Sequence, residues 1–212
     1  MTIRTAAVAA VVATIAVGAP AASAAPKKKL PPPVCNLVVD DKGEPTSDGP
    51  LDILSADIAT DSKKLTGVIR VAGDPDAAGP TSPTGRIYHL SFSGASPSTN
   101  VFLSFIYAPT GQAATYGFFN KTTMVNEGVG AATLKIVGND IYMTVPHSVY
   151  SAYGKFKPGN KITGLTASTG RMAGVFVSTD AYAYNPVTGD NAPEGKAYTS
   201  GARSCVRVGG PA

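Results

Sequence analysis

Two histidines, His89 and His147, are the residues best suited to general-base work near neutral pH. A nucleophile activated by either would need a serine within hydrogen-bond reach and an acid behind the ring. His89 lies in RIYHLSFS, where an extended chain places Ser91 on the same face. His147 follows Pro146 at the end of an apolar run. No G-x-S-x-G elbow surrounds any serine, and Ser93-Gly94-Ala95-Ser96-Pro97 does not supply one. The expectation is a histidine on a sheet surface and a polar residue capping a strand, with no catalytic residue assigned.

Carboxylates offer two other chemistries. A glycosidase needs a pair held a few ångströms apart on a rigid frame. The 14 acids of this chain sit mostly beside Gly or Pro, where turn geometry accounts for them. Calcium is the better use. Asp40, Asp41, Asp48 and Asp52, with Glu44 nearby, lie in a Gly/Pro-rich stretch that could present hard oxygen ligands. Their spacing is not that of an EF-hand, so a solvated acidic loop stands as the alternative.

Sugar recognition wants exposed aromatic faces, and the chain has no Trp. Tyr182 and Tyr184, in DAYAYN, share a face if that segment is extended and could form a small stacking platform. The alternative is that they pack in the core or along a sheet edge with their hydroxyls in water. Asn120-Lys121-Thr122 matches a glycosylation sequon, which carries weight only in a host that glycosylates.

Cys35 and Cys205 are the only cysteines and stand near the two ends of the region expected to fold. In an exported chain such a pair reads as a disulfide. Two cysteines are too few for a structural zinc site.

These residues must be positioned by short elements, because 23 Gly and 17 Pro break the apolar segments at strand length. Residues 51–59 and 65–72 read as a hairpin around Asp61-Ser62-Lys63-Lys64, with Leu65, Ile69 and Val71 on one face. Residues 86–93 put Tyr88, Leu90 and Phe92 on one face. VFLSFIY at 101–107 is apolar on both faces, like a central strand, and 114–119 reads as its neighbour. The pattern around Gly138-Asn139-Asp140 is the clearest hairpin, ending at Pro146. HSVYSAY at 147–153 is the one helix candidate. Strands are expected at 161–169 and 173–179, a loop at 185–195, and a closing strand within 196–208. All nine Tyr and seven Phe lie at residue 88 or later, so the 51–71 hairpin must pack through aliphatic side chains against an aromatic-rich sheet.

The first 24 residues read as a secretory signal peptide. One cation, Arg4, precedes a run rich in Ala, Val and Ile, and Ala22-Ser23-Ala24 fits small-x-small cleavage, with Ala25 as the second choice. Residues 25–33, with Lys27-Lys28-Lys29 and Pro31-Pro32-Pro33, read as an extended linker. The net charge of +4 is too small to argue for nucleic acid, and no second long apolar segment offers a membrane span in the mature chain. Residues 34–212 are then one domain, expected to be a monomer.

Three pieces in this order carry a resemblance: LDILSADIATDSKKLTGVIRV after an Asp-rich lead, TLKIVGNDIYMTVPHSVY, and GNKITGLTASTGRMAG. Together they resemble secreted bacterial β-sandwich domains of the DOMON-like type, a group that includes carbohydrate-binding modules and haem- or sugar-binding extracellular domains. The resemblance spans roughly residues 36–205 and implies a sandwich more than any ligand. Haem-binding members use Met and His as axial ligands. The residues available here are Met124, Met143, Met172, His89 and His147, and no spacing selects a pair.

The resulting expectation is an all-β protein, an antiparallel β-sandwich of jelly-roll or immunoglobulin-like type with nine to eleven strands and at most one short helix. It is exported, closed by a Cys35–Cys205 bond and non-catalytic, and binds a glycan or envelope component with calcium as an optional cofactor. An extracellular structural or protein-interaction module is the second reading and a hydrolase the third.

Overall fold

The computed structural model describes residues 35–39, 49–77, 85–108, 111–150, 156–172, 186–187, 191–192 and 195–206. Segments 1–24 and 25–33, the strand expected at 173–179, Tyr182, Tyr184, Asp40, Asp41, Glu44 and Asp48 lie outside them.

The chain begins with β1 (Val38–Val39), a 3-10 turn (Gly49–Leu51), β2 (Ile53–Thr60) and β3 (Lys64–Val71). It continues through β4 (Arg86–Ser93), β5 (Thr99–Ala108), β6 (Gly111–Asn120) and β7 (Val125–Ala131). Next come β8 (Thr133–Val137), β9 (Asp140–Pro146) and a 3-10 helix (His147–Tyr150). The last strands are β10 (Lys161–Ile162), β11 (Thr166–Met172), β12 (Pro186–Val187), β13 (Asn191–Ala192) and β14 (Tyr198–Thr199). Among the described residues nine strands run five residues or more and five are two-residue pairs.

The long strands form two antiparallel sheets that pack face to face, so the molecule is an all-β sandwich. The five-stranded sheet has the order β1-β2-β3-β9-β8. The seven-stranded sheet has the order β12-β11-β4-β5-β6-β7, with β13 also on β11. No helix among the described residues is long and apolar enough to cross a membrane.

The hairpin at 51–71 forms as its turn chemistry dictates. The Asp61 carboxylate accepts the backbone N–H groups of Lys63 (2.6 Å) and Lys64 (2.7 Å), a local bond that reverses the chain between β2 and β3. Leu65, Ile69 and Val71 then face inward with Ile141, Met143 and Val145 of β9. Across the interface stand Tyr88, Leu90 and Phe92 of β4 and Leu103 and Phe105 of β5, so the aliphatic hairpin does cover an aromatic-rich sheet. Gly67 faces the opposite sheet at β4 and β5. A Cβ there would lie 2.5 Å from Leu90 Cδ2 and 2.8 Å from Leu103 Cδ1, so bare backbone makes room for both leucines.

The two ends of the described region converge on β2. β1 pairs with it through Val38 and Val39, and Ser204 Oγ donates to the Ile58 carbonyl (3.0 Å). Cys35 and Cys205 are joined there with a Cα–Cα distance of 5.2 Å, inside the normal disulfide range. Nearby, the fully buried Asp57 accepts the Leu37 N–H (2.9 Å) with one oxygen and Arg70 Nη1 (2.6 Å) with the other.

Two local expectations change. The stretch 161–169 is not one strand: Gly164, at φ +64°, breaks it into β10, which pairs with β14, and β11, which joins β4 in the seven-stranded sheet. The expected loop at 185–195 contributes β12 and β13 to the edge of β11. β7 carries no apolar alternation because it is an edge strand whose first four residues are exposed. Of the helix candidate at 147–153, the described residues His147–Tyr150 form a 3-10 turn.

Candidate functional site

The outward face of the seven-stranded sheet carries two adjoining hollows of about 250 and 240 Å³ that share His89, Phe102 and Asn126. They form one groove across neighbouring strands. Strand alternation produces it: Tyr88, Leu90 and Phe92 point to the core, so Ile87, His89 and Ser91 must point outward. On β5 the same rule buries Val101, Leu103 and Phe105 inward and turns Asn100, Phe102, Ser104 and Ile106 outward. β6 adds Thr115 and Phe119, β7 adds Asn126 and β11 adds Ser168.

Phe102 shapes the floor. Its ring lies across β6 at Gly117, where a Cβ would stand 2.5 Å from Phe102 Cζ. His89 packs against it with ring centroids 5.2 Å apart and planes tilted by 31°. His89 Nδ1 is 2.7 Å from Ser104 Oγ, and Nε2 has no hydrogen-bond partner among the described residues. Farther along, Ser91 Oγ and Thr166 Oγ1 share a hydrogen bond of 2.8 Å.

No charged side chain among the described residues lines either hollow. Removal of the His89 ring from bulk water lowers its pKa from 6.5 to about 4, so it is a neutral imidazole offering one donor and one acceptor. The sign for stability follows. Between pH 6.5 and about 4 the unfolded chain binds a proton here that the folded chain refuses. Stability should therefore fall as the pH drops through that window, and His89→Gln should flatten the urea-midpoint profile between pH 6.5 and 5. An unchanged slope in the variant would remove His89 from the titration.

Among the described residues no carboxylate lines the groove to stand behind the His89 ring, and Ser104 is itself buried. Ser104 also lies on a central strand, registered with His89 on one side and Thr115 on the other, where backbone N–H groups are committed to the sheet rather than free as an oxyanion hole. His147 is separate: its Nε2 lies 3.3 Å from the Phe156 carbonyl and its ring meets Phe156 edge-on.

The other residues singled out in the sequence are dispersed. Of the proposed calcium ligands only Asp52 is described, half-buried beside the Gly49–Leu51 turn. Among the described residues no three His, Cys, Asp or Glu side chains stand together as a metal group. Met143 is in the core and His89 on the outer face of the opposite sheet, so these two cannot flank one haem. Met124 is exposed in the β6–β7 turn. Phe102, Phe119, Asn126 and Ser168 were not singled out by sequence. The only trace of them is polar residues at alternate positions of otherwise apolar strands.

Comparison with protein-family models, with curated proteins and with solved structures returns no match for the chain. The chemistry of the groove itself is what remains to indicate a ligand.

Proposed function

We propose that this is an exported, non-catalytic binding domain that holds a neutral, hydroxyl-rich ligand, a glycan or glycan-bearing envelope component, in the groove of the seven-stranded sheet. The observation that carries this reading is a groove with no charged side chain among the described residues, combining the half-buried ring of Phe119, over a floor of buried Phe102, with His89, Asn100, Asn126 and Ser168. Aromatic faces suit the apolar face of a sugar ring, and amide, imidazole and hydroxyl groups suit its hydroxyls. The leader-like N-terminus, the disulfide and the resemblance to DOMON-like domains support an extracellular setting for such a ligand.

The test is retention of the oxidised protein on a panel of insoluble neutral polysaccharides. Asn126→Ala/Ser168→Ala should weaken retention on the bound glycan about tenfold, the equivalent of roughly 1.4 kcal/mol, without changing the melting temperature. Unaltered retention in that variant, or retention on no glycan, overturns the proposal.

One observation favours a protein-interaction module instead. Met124, 70% exposed and at φ +58°, stands next to the 53% exposed Val125 at the tip of the β6–β7 turn. Met124→Ser/Val125→Thr would leave glycan retention intact and abolish a protein contact.

A further inference from the structure

A second hollow, of about 310 Å³, lies on the outer face of the five-stranded sheet, on the far side of the sandwich from the groove. Lys63, Lys64 and Lys135 line it, with Thr133, Tyr142 and Thr144. Lys63 closes the β2–β3 turn and Lys64 opens β3 opposite Pro146 of β9. Lys135 is in the middle of β8 opposite Tyr142 of β9. All three lysines are exposed, and none forms an ion pair among the described residues.

The acids nearby are otherwise engaged. Asp61 is turned back onto the N–H groups of Lys63 and Lys64. Asp140 accepts the Tyr142 hydroxyl (3.0 Å) and faces Arg70 Nε at 3.8 Å. Among the described residues no carboxylate lines the hollow, and its three lysines outnumber the neighbouring Asp61 and Asp140, so it is a concave site of net positive charge, the arrangement that concentrates anions.

The spacing selects among anions. Lys64 and Lys135 are two strands apart and four residues out of register along β9, which places their Cα atoms about 16 Å apart. A single phosphate can satisfy one or two ammonium groups at that spread, whereas a chain with an anionic group on every repeat reaches all three. A single-stranded nucleic acid would also want several aromatic faces for its bases. Among the described lining residues Tyr142 is the one aromatic, half-buried and tied to Asp140.

We propose that this hollow binds an extended anionic glycopolymer whose repeats carry phosphate or carboxylate groups. Lys63, Lys64 and Lys135 neutralise successive repeats, and Thr133 and Thr144 meet the hydroxyls between them. The site is independent of the groove on the opposite sheet, so each can fail without the other.

The test is binding of the purified, oxidised protein to immobilised poly(glycerol phosphate) and to polygalacturonate, with oligothymidylate alongside. Binding to at least one glycopolymer is expected, weakening as salt is added, and the arm that binds identifies the anion. K63Q/K64Q/K135Q should lose about tenfold in affinity, while K63R/K64R/K135R retains it. K157Q/K161Q/K196Q removes three exposed lysines elsewhere and should stay within about twofold of the parent. The proposal is overturned by no glycopolymer binding at low salt, by equal losses in the two glutamine variants, or by oligothymidylate binding as tightly as either glycopolymer.

Discussion

Cys35→Ser/Cys205→Ser is expected to lower the unfolding free energy by about 5 kcal/mol. The bond spans a sequence separation of 170, a loop long enough to put the chain-entropy effect at the upper end of its usual range. The cysteines join segments that already meet at β2, with 5.2 Å between their Cα atoms, so the native structure needs no rearrangement to accept the bond. Urea titration of parent and variant by circular dichroism measures the effect. The midpoint should fall, and the slope should rise because the unlinked chain exposes more surface when unfolded. A loss below about 1 kcal/mol with an unchanged slope would mean that the denatured chain is not held by the cross-link.

Asp57→Ala is expected to cost about 3 kcal/mol, near the lower end for breaking a buried ion pair. Asp57 is fully buried and makes two bonds, to the Leu37 N–H and to Arg70. The variant leaves the Leu37 amide without its acceptor and Arg70 with a weaker partner, Asp140 at 3.8 Å. Some relief comes because the Arg70 side chain keeps 21% exposure and also donates to Ser55 Oγ. Asp57→Asn preserves the oxygen facing Leu37 and should cost less than Asp57→Ala. Equal midpoints for Asp57→Ala and the parent in urea would refute the assignment.

These effects fall in the part of the molecule that the sequence described best. Asp61 before a lysine pair, Gly138-Asn139-Asp140 between alternating runs, and a cysteine near each end are local signals, each tied to one physical requirement. The hairpins and the cross-link follow from them. The groove has no such local signature. Ile87 and Ser168 line the same hollow at opposite ends of a long stretch of chain, and only the register of β4 with β5 and β11 brings them together. The alternation that hides Phe102 between Val101 and Leu103 makes β5 look apolar on both sides. β7 is illegible for a related reason, since an exposed edge strand has no buried face to impose a pattern. The division of 161–169 turns on the backbone angle of Gly164, which composition does not report.

The bond between Cys35 and Cys205 also determines how the domain responds to mechanical tension. A pull applied outside the two cysteines passes through one covalent bridge and bypasses the hydrogen-bonded strands. While the bond is oxidised, the sandwich carries no load and both grooves keep their shape under drag. Reduction puts the strands in series with the force, and unravelling the intervening 170 residues releases about 580 Å of chain. A thiol reagent thus converts a stiff link into a long, compliant tether.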